Sequence, residues 1–162
     1  MFWKSKNELV YEELNCLSSE ESQWEIDGQI SFSGFLEALI GWLPAGSILY
    51  FEDGHPDREI ERFFEKHQVP ENERKRVPLG SCGRPKILHA PATDAVLAEL
   101  SKIMEHHAEP ELAIHFHAYK DKQVLIQWYD AVNDPVLLNS SFPEEQIRVL
   151  AEKIGKKYDR EA

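Results

Sequence analysis

Residues 111–130, Glu-Leu-Ala-Ile-His-Phe-His-Ala-Tyr-Lys-Asp-Lys-Gln-Val-Leu-Ile-Gln-Trp-Tyr-Asp, constrain the fold more than any other stretch of this chain. Two arms rich in β-branched and aromatic residues flank a polar Lys120-Asp121-Lys122 tip. Both arms alternate apolar with polar positions, the period of a strand with one buried face. A three-residue tip that pairs Tyr119 with Gln123 puts Ile114, Phe116, Ala118, Val124, Ile126 and Trp128 on one face. The other face then collects His115, His117, Tyr119, Gln123, Leu125, Gln127 and Tyr129. A two-residue tip mixes these sets, because a slip of one residue turns every side chain to the opposite face. The pattern predicts a hairpin with one core face and one amphiphilic face.

Helical signals surround it. From Asp57 to His67, Ile60, Phe63 and Phe64 form an inward stripe among charges, and Thr93 or Asp94 starts a helix with Val96, Leu97, Leu100, Ile103 and Met104 on one side. Ser33 is placed to cap a helix carrying Phe35, Leu36, Leu39, Ile40 and Leu43. Ser141-Phe142-Pro143-Glu144 has the capping-box arrangement ahead of a helix with Ile147, Leu150, Ala151, Ile154 and Tyr158 on one side. Ser47 to Glu52 is a short apolar run between turn signals, as expected of a central strand covered on both faces. Lys86–His89 and Val136–Leu138 read as further short strands. Asp27-Gly28, between Trp24/Ile26 and Ile30/Phe32, predicts a tight hairpin turn. Residues 68–86, with three Pro and two Gly, read as a long surface loop.

This order predicts an α/β protein of the mixed α+β type. Expected are a single mixed sheet of four to six strands, early strands made parallel by βαβ crossovers, a C-terminal antiparallel meander and four to five flanking helices. The 162 residues suit one globular domain, with residues 1–22 as a loosely attached N-terminal segment.

A net charge of −11 argues against a nucleic-acid binder, which needs clustered Lys and Arg, and favours a basic protein partner. The charge is uneven: residues 1–57 hold two Lys against eleven acids, whereas residues 58–86 hold eight basic residues against five acids. Contact between these opposite thirds in two copies is a route to a homodimer. No stretch has the apolar length of a membrane span, and no signal-peptide pattern follows Met1, so a cytoplasmic location is expected. Cys16 and Cys82 match neither a disulfide framework nor a metal-ligand spacing.

Three groups could carry chemistry. His115 and His117 share a strand face and could supply half a metal site with His89 as a third ligand, although no metal motif is present. Asp53 and His55 follow a central strand, where an acid and a base could meet, but Asp57, Gly54 and Pro56 also suit a plain helix start. Cys82 lies beside Arg84, a cation that favours the thiolate. Asp27-Gly28 has the spacing of the middle of a calcium loop, but Gln23 and Gly34 at its first and twelfth positions are not the required ligands. No cofactor motif occurs. The residues point to a small acidic cytoplasmic protein-binding module without catalytic activity, of the kind an inhibitor or immunity-type protein represents, with His115, His117, Gln127 and Tyr129 as binding surface. The alternative is a small hydrolase or metal-dependent enzyme using the Asp53/His55 loop or the His115/His117 face.

Overall fold

The computed structural model describes residues 11–17, 22–78 and 86–161. Its strands are β1 (Glu12–Glu13), β2 (Gln23–Ile26), β3 (Ile48–Glu52), β4 (Lys75–Arg76), β5 (Ile87–Pro91), β6 (His115–Lys120), β7 (Gln123–Trp128), β8 (Val136–Leu138) and β9 (Tyr158–Glu161). Its helices are α1 (Phe32–Ala38), α2 (Arg58–Lys66), α3 (Asp94–Met104), α4 (Glu109–Leu112) and α5 (Glu144–Ile154). Seven strands form one sheet in the order β5-β3-β6-β7-β8-β2-β9, and β1 and β4 form a small parallel ribbon. The mixed α+β class and the C-terminal meander β6-β7-β8 are as the sequence predicts. The sheet has more strands than expected.

Within the seven-stranded sheet the expected parallel pairing of the early strands does not occur: β3 pairs antiparallel with both β5 and β6. After α2 the chain does not return directly to the sheet. It passes to the opposite face through a 3-10 turn at Glu71–Glu73 and through β4, and then enters β5 antiparallel to β3. A helix between two strands makes them parallel only when it carries the chain back to the same end.

One sheet face packs on the helices. Phe32 of α1 stands at its centre, with ring centroids 6.4 Å from Phe51, 6.3 Å from Phe116 and 5.4 Å from Trp128. The other face, with Ile48, Tyr50, Tyr119 and Val124, is covered by Leu14, Val69 and Val77. Two buried tyrosines pin that cover. Val77 N–H donates to the Tyr50 hydroxyl at 3.2 Å, and Lys75 N–H donates to the Tyr119 hydroxyl at 3.0 Å. β3 is thus covered on both faces, as its apolar run predicts.

The hairpin reaches its two-faced packing by a different route from the one expected. Lys120 pairs with Gln123 across a two-residue tip, and the register shifts between Ala118 and Tyr119, so that Ala118 opposes Ile126 while Tyr119 opposes Val124. The extra residue is Leu125. This bulge absorbs the slip that a two-residue tip would otherwise impose on both arms. Phe116, Ala118, Ile126 and Trp128 keep the helix side, whereas Val124 moves to the Tyr119 side and Leu125 takes its place among the helix contacts.

Three helix starts carry side-chain caps: Ser31 Oγ accepts from Gly34 N–H, Asp57 Oδ1 from Ile60 N–H and Thr93 Oγ1 from Val96 N–H. Ser33, the expected first cap, lies inside α1 and hydrogen-bonds Ser101 instead. The box at Ser141 does not form, since Pro143 holds the N-cap position of α5 without a side-chain bond. Gly155, at φ 67°, ends α5, and Tyr158 continues into β9 rather than lying on the helix. The Asp27-Gly28 turn makes no hairpin, since β2 pairs with β8 and β9. Gly28 instead lets the chain pass the Asp134 carbonyl, where a Cβ would lie 1.9 Å from its oxygen.

Candidate functional site

The sheet face opposite most of the helices carries an alternating row of rings. Side chains at every second strand position share a face, so β3 supplies Tyr50, β5 supplies His89 and β6 supplies His115 and His117. Tyr129 follows β7, and Tyr11 precedes β1. Centroids lie 5.7 Å apart for Tyr11–His89, 5.4 Å for His89–Tyr50 and 5.4 Å for Tyr50–His117. The row continues at 5.2 Å from His117 to Tyr129 and 5.3 Å from Tyr129 to His115. All five contacts are edge-on, the arrangement that sets a ring's positive edge against a neighbour's π face.

His117 is fully enclosed, and neither of its ring nitrogens has a hydrogen-bond partner. Burial, aided by the nearby His115 charge, pushes its pKa down to about 3. His89 is buried too, and burial takes it to about 4, although its Nε2–H donates to the Lys75 carbonyl at 2.7 Å. Both are neutral rings at neutral pH. The Tyr50 ring stands between them. Among the described residues no three His, Cys, Asp or Glu side chains gather so as to hold a metal ion.

The four residues expected to form a binding surface divide. His117 and Gln127 are buried, Gln127 accepting from Leu17 N–H at 3.3 Å. His115 is half-buried, and its Nδ1 accepts from Asp130 N–H at 3.0 Å. Tyr129 is 40% exposed, the one large apolar side chain among the described residues to reach solvent to this extent. Its phenol pKa is pushed up to about 12, by partial burial first and then by Cys16 and Glu52.

The loop after β3 carries Asp53 and His55 at the surface. Glu52 turns toward the ring face, accepts from the Tyr50 hydroxyl at 3.2 Å and has its pKa raised by burial. Asp53 and His55 are exposed, Asp53 at a positive φ of 65°. His55 is held by its backbone N–H, which donates to the Pro110 carbonyl at 3.0 Å. Asp57 caps α2 and also meets His107, whose Nε2 lies 2.8 Å from its Oδ2. The His107 contact is invisible in the sequence, where fifty positions separate the partners. Cys82 lies outside the described residues. The Cys16 thiol is pushed up by burial and by Glu13 and Glu52, which disfavours the nucleophilic thiolate.

Among the described residues, four surface cavities of about 280 to 670 Å³ are lined by residues other than Asp53, His55, His115 and His117. Among the described residues no helix is long and apolar enough to cross a membrane. Comparison with protein-family models, with curated proteins and with solved structures finds no match.

Proposed function

We propose that the protein is a cytoplasmic, non-catalytic module that binds another protein, with Tyr129 as the anchor of the contact. The observation that carries this reading is the seating of Tyr129: an exposed ring held edge-on by both His115 and His117. Tyrosine is enriched among the few residues that dominate interface energies, and a ring already fixed in place loses little freedom on binding. The two imidazoles serve here as packing faces for an aromatic anchor.

The partner's chemistry follows from charge. Glu52 lies close enough to the ring to raise its pKa, Asp130 follows it in the chain, and the chain as a whole carries −11. A basic surface bearing a pocket for a phenol is the complement, as for an inhibitor that covers a cationic site on its target. Affinity capture from native cells with the wild-type chain and Tyr129→Ala tests the reading. A stoichiometric basic partner held by the wild type and lost by the variant supports it. Equal retention by a folded Tyr129→Ala chain overturns the role of the ring.

A further inference from the structure

Among the described residues β5 pairs with β3 alone and so forms one edge of the sheet. Two hydrogen bonds fix the phase of this pairing: Asp53 N–H to the Lys86 carbonyl at 3.0 Å and Ala92 N–H to the Ser47 carbonyl at 2.9 Å. Residues of an antiparallel ladder alternate between facing the partner strand and facing away. Leu88 and Ala90 therefore turn their backbone groups to β3, and Ile87, His89 and Pro91 turn theirs outward. Pro91 has no N–H. The edge thus offers donors on Ile87 and His89 and carbonyl acceptors on all three.

Sheet edges are ordinarily guarded by charges, bulges or a covering element. The opposite edge, β9, carries Asp159 and Arg160. β5, Ile-Leu-His-Ala-Pro, carries no charged residue, and within the strand itself only Pro91 interrupts the outward row of donors. This edge is also the floor of a groove of about 390 Å³. Phe64 and Glu65 of α2 line one side of it, and Val69, which belongs with the cover of the ring face, lines the other together with Arg74, whose Nε–H donates to the Val69 carbonyl at 2.8 Å.

We propose that this groove docks an extended segment of a partner protein, which joins β5 as an added strand. The site is separate from Tyr129 and does not depend on it. Unpaired backbone groups spaced along a strand are recognised by another strand's backbone, and side chains at alternate positions then read the walls. The charges lining the groove cancel, Glu61 and Glu65 against Arg74 and Lys86, and Arg58 already holds both carboxylates. The part of the segment between the walls is therefore uncharged, with β-branched apolar residues set against Phe64, Val69 and Leu88. A second copy of this chain fits less well, because its own β5 lies between the same walls and two chains of −11 repel.

Amide-resolved NMR on the full chain tests the proposal in two steps. Alone, the protein exchanges the Ile87 and His89 amides rapidly and protects those of Leu88 and Ala90; equal protection of all four means the edge is already occupied and overturns the proposal. The probe is then an acetylated and amidated peptide of alternating Thr and Val. Binding is expected to shift Ile87, Leu88 and His89 and to slow exchange of the two outward amides by about tenfold or more. The same peptide N-methylated at two consecutive central residues, which blocks both of its edges, is expected to leave these signals unchanged. No shift at millimolar Thr/Val peptide, shifts confined to Tyr129, or equal binding of the methylated peptide overturns the proposal.

Discussion

His107 joins the end of α3 to the start of α2 through Asp57: its Nε2 lies 2.8 Å from Asp57 Oδ2, while its Nδ1 lies 2.7 Å from the Ile103 carbonyl. Both neighbours are acceptors, so satisfying both nitrogens requires the doubly protonated ring. The Ile103 carbonyl first, and then Asp57, raise the His107 pKa above its ordinary value. A raised folded pKa contributes stability that is fully present below the unfolded value of about 6.5 and is lost as pH rises through the folded one. The urea midpoint of the wild type relative to His107→Ala is therefore expected to fall as pH rises from 6 to 9, a comparison in which the contributions of the other histidines cancel. The Asp57 pKa is lowered, by Ile60 N–H first and by His107, so its share is present above the ordinary Asp value and is lost only as pH falls through the lowered one.

His117 gives the opposite dependence. Its folded pKa of about 3 lies below the unfolded value, so acid protonates the unfolded chain first and stability falls as pH drops below about 6.5. His89, at about 4, acts in the same direction. His117→Leu removes two buried nitrogens without partners and keeps most of the volume, a change expected to be neutral or stabilising at pH 7 and to reduce the acid sensitivity. His117→Ala leaves a cavity between Tyr50 and Tyr129 and is expected to cost about 2–4 kcal/mol in urea unfolding.

Glycine is required where backbones nearly touch. A Cβ on Gly54 would lie 2.2 Å from the Leu112 carbonyl oxygen, and on Gly28 1.9 Å from that of Asp134. In both cases the obstacle is backbone, which cannot rotate aside. Gly54→Ala and Gly28→Ala are each expected to cost about 1–3 kcal/mol or more in denaturant unfolding. Gly34→Ala, whose Cβ would meet only the Ser31 hydroxyl at 3.3 Å inside a helix, is the control and should change little.

Phe32 tests the helix-side core. Its ring meets Phe51, Phe116 and Trp128, and its backbone N–H donates to Glu109 Oε2 at 2.8 Å. Phe32→Ala keeps the backbone bond and empties the centre of the cluster, with an expected loss of about 3–5 kcal/mol.

The parts of the fold legible in the sequence are those specified locally. The stripes of α2 and α3, the caps at Asp57 and Thr93 and the apolar run of β3 each announce themselves within a few residues. The Leu125 bulge does not, because it exists only where Val124 and Leu125 must fill opposite layers at once. β9 escapes for a related reason: Tyr158 keeps helical spacing, and only the left-handed Gly155 marks the stop. At the site, the shared face of His115 and His117 is legible from their spacing. That His117 is sealed beneath Tyr129 depends on the cover contributed by residues far away in sequence. The β5 edge is set by the antiparallel order of the sheet, which the strand–helix–strand pattern misstates.

Hydrogen–deuterium exchange of the full chain, with and without the partner recovered by capture, tests the central claim most directly. The account predicts new protection over the Tyr129 turn and the adjoining end of β6. A captured partner that protects only other surfaces, or a chain that retains no partner and turns over a substrate through Asp53 or His55, would contradict it.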